Sequence, residues 1–277
     1  MPSTLQRLEN LDRRVIFVVV FIAILIPLFF PLGLAIVPSP AAKGFSKAIE
    51  DLPAGSTVYL AADYDPGSLP ELQPMLETAI RQLCRKNCKI IGASLWPACP
   101  PLVDAAFRRI AIGEYGKTDG VDFVNLGFKE GRELVMVQVG NDIRAVYPVD
   151  TQGRSTRDLP ILQGITGLGD LALMINISAG YPGTREWVQQ VRSRFNLPMV
   201  SGCTAVSTPE YQTYFQSGQL SGLLGGLAGA AEYETLAGMP GTASRGMDAQ
   251  SLGHLAIIFF IIGGNVIYFL RKREGGA

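Results

Sequence analysis

The chain has 277 residues, 24 basic and 24 acidic side chains, and a hydrophobic share of 48% against 17% charged. That neutral balance excludes the basic footprint nucleic acid requires, so no nucleic-acid partner is expected. The hydrophobic share exceeds that of an ordinary soluble domain, and the excess sits at the two ends of the chain.

Residues 1–14 form a polar head carrying Arg7, Arg13 and Arg14. Val15 to Val37 then runs without a charge and is closed by Pro38-Ser39-Pro40. Its length matches the ~20 residues a helix needs to cross a bilayer and exceeds a ~7–15-residue signal-peptide core. Pro27 and Pro31 are tolerable inside such a helix. The expectation is a retained transmembrane helix over 15–37, and the competing reading is a signal peptide cleaved near Ala41-Ala42. A second apolar run, 251–270, meets Arg271-Lys272-Arg273 in a basic tail, 271–277. Lys and Arg near the helix ends number six outside the bracket (Arg7, Arg13, Arg14, Arg271, Lys272, Arg273). Inside it there are three, Lys43, Lys47 and Arg245. By the positive-inside rule both termini are cytoplasmic and the middle of the chain is extracytoplasmic. The bilayer is thus the first expected partner.

Residues 42–237 read as one domain. Thr57 to Ala62 is a short apolar strand ending in the turn-rich Asp63-Tyr64-Asp65-Pro66-Gly67-Ser68, and Leu69 to Arg85 is an amphipathic helix. Lys89 to Trp96 is a second strand, Leu102 to Ile112 a helix and Val121 to Leu126 a third strand. Leu134 to Val139 reads as a strand leading into a short helix, and Leu159 to Ile165 as a helix in a turn-rich stretch. Asp170 to Ile177 is a buried strand, Arg185 to Phe195 a helix capped by Thr184, and Leu197 to Gly202 the last strand. Pro209 opens a long helical region, and 238–250 is a Gly/Ser/Thr-rich linker. Apolar strands alternating with amphipathic helices predict a doubly wound, mostly parallel α/β sheet of about five strands, flavodoxin- or Rossmann-like, held between two transmembrane helices.

Ligands of such sheets bind at the carboxyl ends of the strands. That rule selects Asp63, Tyr64, Asp65, Trp96, Cys99, Asn125, Ser178 and Cys203, with Thr204 beside the last. Asp63 and Asp65 can hold a divalent cation or supply a carboxylate nucleophile; the competing reading is a turn in which aspartate bonds the backbone. The first strand-to-helix loop carries one glycine and two carboxylates where a phosphate needs bare amides, so no nucleotide cofactor is expected. The single histidine, His254, lies at the second apolar run, which leaves no Ser–His or Cys–His pair for the domain and, with the cysteine spacing, no zinc site. The four cysteines, Cys84, Cys88, Cys99 and Cys203, permit two disulfides outside the cytoplasm, with Cys84–Cys88 and Cys99–Cys203 as candidates, or four buried thiols.

Residues 218–234 are rich in glycine. Read as a helix, they place Gly218, Gly222 and Gly226 in one row and Gly225 and Gly229 in another, the small-x-x-x-small pattern that lets a second backbone approach closely. Such rows fit either the domain's own sheet or a partner face. The near-empty catalytic inventory favours a non-enzymatic accessory subunit of a membrane complex of transport or secretion type, bound to a membrane protein or to a second copy. The alternative is a membrane-tethered, metal-dependent hydrolase or transferase using Asp63 and Asp65.

Overall fold

The computed structural model describes residues 12–274. Arg7 with the rest of the expected cytoplasmic head up to residue 11, and 275–277 of the basic tail, lie outside the described residues. The chain divides into two units, 36–243 and a unit made of its two ends, 1–35 with 244–277.

The larger unit is built on a six-stranded sheet in which every pairing is parallel. The strands are β1 (Thr57–Asp63), β2 (Lys89–Ser94), β3 (Phe123–Phe128), β4 (Leu173–Ser178), β5 (Met199–Cys203) and β6 (Gly222–Gly225). Their order, β3-β2-β1-β4-β5-β6, is that of Rossmann-like sheets, with the reversal between β1 and β4. All six are almost wholly buried, as a sheet covered on both faces must be.

Two helices precede the sheet in the chain, α1 (Arg13–Phe29) and α2 (Pro40–Glu50). Leu69–Arg85 forms α3, and Pro100–Ala106 forms α4, which continues as a π-helical turn, Phe107–Ile112. After β3 come α5 (Arg132–Asn141) and α6 (Ile143–Val146), and after β4 comes α7 (Thr184–Trp187), prolonged by a π turn over Val188–Arg192. After a last helical turn, Ser193–Phe195, the longer helices that follow are α8 (Thr208–Gln216), α9 (Gly226–Ala237) and α10 (Thr242–Glu274). Helix α3 packs on α9 and on the π turn after α4, covering one face. Trp187, Val188, Val135, Met136 and Tyr211, from α7, α5 and α8, cover the other.

Four expectations are corrected. Leu134 to Val139 is helix, not strand: Val135, Met136, Val139 and Ile143 are buried while Leu134 is exposed, a helical period that overrides β-branched propensity. Leu159 to Ile165 holds only a 3-10 turn, Pro160–Leu162. The stretch expected as a linker, 238–250, is helical from Thr242. The glycine-rich stretch is not one helix: it turns at Gly218, runs as the sixth strand over Gly222–Gly225, and becomes helical only at Gly226.

That last difference decides what the glycines do. A Cβ at Gly222 would lie 2.0 Å from the Phe45 amide nitrogen, and one at Gly44 would lie 2.3 Å from the Ser221 carbonyl oxygen. The backbone of α2 therefore lies directly on β6, the edge strand, and covers it. Gly225 faces Thr208, Gly229 faces the Leu224 backbone, and Gly226, at φ +60°, abuts Ala205. Gly218 occupies a turn at φ +75° with open space around it. The glycines at 222, 225, 226 and 229 are internal packing positions, not a partner face.

In the terminal unit, α1 stops at Phe29, short of the expected Val37. Pro31 has no N–H to continue the helix and disfavours helical geometry at the preceding residue, Phe30, which leaves the helix at φ −124°, ψ 85°. Seventeen residues make a helix about 26 Å long, less than the ~30 Å hydrocarbon core. Helix α10 contains a stretch, Thr242–Leu270, that by length and composition could cross a membrane. Among the described residues it is the one helix that meets both conditions. Ile24 contacts the Gly253 position, and the amides of Leu32, Gly33 and Leu34 donate to Asp248, so the two segments run antiparallel.

Candidate functional site

The reversal of strand order puts the fold's usual ligand crevice at the carboxyl ends of β1 and β4, where Asp63 is paired in register with Ser178. Strand alternation places Asp63 on the same face as Tyr59 and Ala61, so its side chain points into the core under α7. It is fully buried. One carboxylate oxygen accepts the Leu95 amide at 2.7 Å; the other accepts the Trp187 indole N–H at 2.8 Å and the Asn176 amide at 3.2 Å. Burial pushes its carboxyl up to about 7, against the pull of the bonds from Leu95, Trp187 and Asn176. The phenols of Tyr59 and Tyr147 are raised chiefly by burial, then by Tyr147 and Asp63 for the first and by Asp63 for the second.

A chain of buried hydroxyls continues from Asn176. Its carbonyl oxygen accepts Ser178 Oγ at 2.9 Å and Thr184 Oγ1 at 3.0 Å, and Thr184 Oγ1 lies 2.6 Å from Ser201 Oγ. Ser178 Oγ in turn accepts the Thr184 amide at 3.1 Å, tying the start of α7 to β4. Each polar atom in this set is engaged by another, as burial demands.

Asp65 stands apart. It is exposed, its carbonyl accepts the Ser68 amide at 3.1 Å, and its carboxylate is 3.4 Å from Ser68 Oγ. The two aspartates do not converge on one cleft: one is interior and fully bonded, the other heads the 3-10 turn Pro66–Ser68. Among the described residues no group of three or more His, Cys, Asp or Glu side chains is placed to hold a metal ion. Tyr64 leaves on the opposite face, buried, with its hydroxyl donating to Gln73 at 2.8 Å.

Trp96 roofs the crevice. Its indole N–H donates to the Pro182 carbonyl at 3.0 Å, joining the loop after β2 to the loop after β4 across the end of β1. The bare backbone of Gly180 lies under the ring: a Cβ there would meet it at 3.7 Å. Ser94 Oγ braces the tryptophan backbone from both sides, accepting its amide and donating to its carbonyl. Beside this roof, Tyr181 stacks under the Arg132 guanidinium at 5.2 Å and donates to Glu133 at 2.7 Å.

All four cysteines are free and buried in the structure. Cys99 lies in the loop after β2, just before α4, with its thiol beside the Tyr64 backbone, whereas the Cys203 thiol at the end of β5 faces Thr208 and the Leu224 carbonyl. Cys84 and Cys88 flank the end of α3, where Asn87 turns through φ +54°, and the Cys88 thiol faces the Pro53 carbonyl at 3.9 Å. Burial pushes the Cys99 and Cys203 thiols up to about 12 and that of Cys84 up to about 11. Thr204 bonds Ser207 within the loop after β5, and Asn125 donates to Pro100 and Asp104.

At the carboxyl edge Asp63, Asn176 and Ser178 thus turn inward, while Asp65 and several apolar or aromatic side chains face outward. Val206, in the loop after β5, is 88% exposed, Tyr181 52% and Leu134, at the start of α5, 66%. None of these three follows from the strand-end rule, which selects residues immediately after a strand; the Tyr-Pro pair at 181–182 is the one local signal. No family model, curated protein or solved structure matches the chain.

Proposed function

We propose that this chain is a two-pass membrane protein whose α/β unit is a non-enzymatic binding module for a partner protein, as an accessory subunit of a membrane complex. The observation that carries the reading is the state of the strand ends. Where the fold offers a ligand crevice, Asp63 is fully bonded beneath the Trp96–Pro182 roof, while Val206, Tyr181 and Leu134 face outward. Exposed apolar and aromatic side chains on neighbouring loops suit a protein interface better than a small polar ligand. Both termini are assigned to the cytoplasm and the α/β unit to the other side, on the basic residues flanking each apolar run and on the antiparallel packing of α1 with α10.

The test is site-specific photo-crosslinking in native membranes, with the reactive side chain at Val206, at Tyr181 and, as a control at the other edge of the sheet, at exposed Ala54. A discrete adduct with another protein from 206 and 181, and none from 54, is expected. An adduct of twice the chain's mass identifies a second copy as the partner. Equal labelling from all three positions, or none from the first two, rejects the binding face. Orientation is read separately: Arg157→Cys, in a background without native cysteines, should react with a membrane-impermeant thiol reagent in intact cells.

A further inference from the structure

We infer that Asp248 is a buried cap that completes the first membrane segment, holding non-helical backbone at 32–34 and keeping α1 as a permanent part of the protein. The inference rests on the two-pass reading above. Helix α1 ends at Phe29, yet the apolar sequence continues to Val37. The backbone beyond the helix loses its intrahelical partners, and inside a bilayer such groups must be satisfied by protein. The carboxylate of Asp248 does this three times over. One oxygen accepts the amides of Leu32 at 2.8 Å and Gly33 at 3.0 Å, and the other accepts that of Leu34 at 3.1 Å. Asp248 is only 3% exposed, and it lies on α10 just before the apolar run.

The geometry is that of a cap in trans. An aspartate ordinarily caps the first turn of its own helix, where two or three amides lack acceptors. Here the amides belong to a non-helical segment more than 200 residues away, and Gly33, at φ +64°, lets the chain curl so that successive N–H groups point at one carboxylate. The charge is not left bare, because three donors face it. One turn further along α10, the absence of a side chain at Gly253 admits Ile24 of α1: a Cβ there would be 3.1 Å from Ile24 Cγ1. The cap and this small-residue contact together fix the register of the hairpin.

The same arrangement argues against loss of α1 by processing. Cleavage near Ala41-Ala42 would cut α2 within its first turn, where Ala42 is fully buried and Ser39 caps the helix by accepting the Ala42 amide. It would also remove the Ser39 amide and hydroxyl from Glu232, and would strand the Asp248 carboxylate without its donors.

The experiment uses the full chain in membranes, lacking native cysteines, with Ile24→Cys and Gly253→Cys. Mild oxidation should give an intramolecular crosslink. Adding Asp248→Ala should reduce its yield at least about tenfold, since three buried donors are orphaned. Asp248→Asn, which keeps one acceptor oxygen, should fall between. No crosslink in the aspartate-containing parent overturns the antiparallel hairpin and the two-pass reading with it. A crosslink indifferent to Asp248→Ala leaves the hairpin standing and overturns the cap. Should Asp248→Ala fail to accumulate, two measurements on the unaltered protein decide. Its intact mass must include α1, and the amides of 32–34 must exchange as slowly as those of the neighbouring helix; a shortened chain or fast exchange at 32–34 overturns the proposal.

Discussion

Replacing Gly222 by alanine tests the seating of α2 on the edge strand. The added Cβ would lie 2.0 Å from the Phe45 nitrogen, 2.3 Å from its Cα and 2.6 Å from the Gly44 carbonyl carbon. All three atoms are backbone, so no rotamer change relieves the clash. Restoring an ordinary 3.4 Å contact requires α2 to lift by about 3.4 − 2.0 = 1.4 Å, and a gap of ~0.5–1 Å already forfeits a quarter to a half of the dispersion attraction. The face that lifts carries Ala41, Ala42, Phe45 and Ile49, all buried. It also carries the edge-on pairing of Phe45 with Tyr233, 4.8 Å between ring centres. Partial loss of a buried phenylalanine and of its aromatic partner comes to about 3 kcal/mol. For a unit of this size that is a fall in Tm of roughly 6–12 °C. Both tryptophans, Trp96 and Trp187, lie in the α/β unit, so thermal unfolding of the whole protein in detergent can be followed by their fluorescence. Gly169→Ala, whose Cβ meets nothing within 4 Å, is the matched control. A Gly222→Ala midpoint within about 1 °C of that control would refute the reasoning, because the helix could not then be resting on the strand.

Three further outcomes are expected. The Asp63 carboxyl titrates near 7 in the folded chain against an ordinary 3.8, so between those values the folded state holds a proton the unfolded state has lost. The contribution of Asp63 to stability should therefore be full below about pH 4 and decline by up to roughly 4 kcal/mol as pH rises to about 7. Asp63→Asn should lack this decline and be less stable at low pH, since its NH2 must face a donor among Leu95, Trp187 and Asn176; parallel urea midpoints for both proteins across pH 4–8 would refute the assignment. The thiols, buried and with raised pKa, should resist a disulfide reagent in the native protein, and all four should react after denaturation; rapid native labelling of Cys99 or Cys203 would contradict their placement. Val206→Asp should change stability by less than about 0.5 kcal/mol, as befits an exposed side chain, and should abolish the crosslinked adduct formed from position 181; an unchanged adduct would separate Val206 from the binding face.

Much of the α/β unit was legible in the chain. β1 and α3 begin where periodicity places them, because strands buried on both faces must be continuous apolar runs and their covering helices must repeat at 3.6 residues. The second apolar run was equally plain, since hydropathy is a local property. Other features depended on what a residue meets across the fold. Gly222 and Gly226 keep helical spacing in sequence, yet one lies in a strand against α2 and the other, at φ +60°, heads α9, and nothing local tells a helix row from a strand and the helix after it. Asp63 stands after an apolar strand in the position of a catalytic carboxylate. Only the tertiary structure shows that Leu95, Trp187 and Asn176, drawn from three distant segments, turn it into an interior acceptor.

The ends of the chain divide in the same way. Composition alone determined that 15–37 is apolar and that Arg13, Arg14 and Arg271 to Arg273 flank the two runs. Helix length did not follow from composition: a proline stops α1 at Phe29, and the freed amides find their acceptor on Asp248, 214 to 216 positions away. Periodicity and hydropathy report which face of a segment avoids water. They carry no record of which distant atom satisfies a hydrogen bond, because that partner is chosen only when the segments pack together.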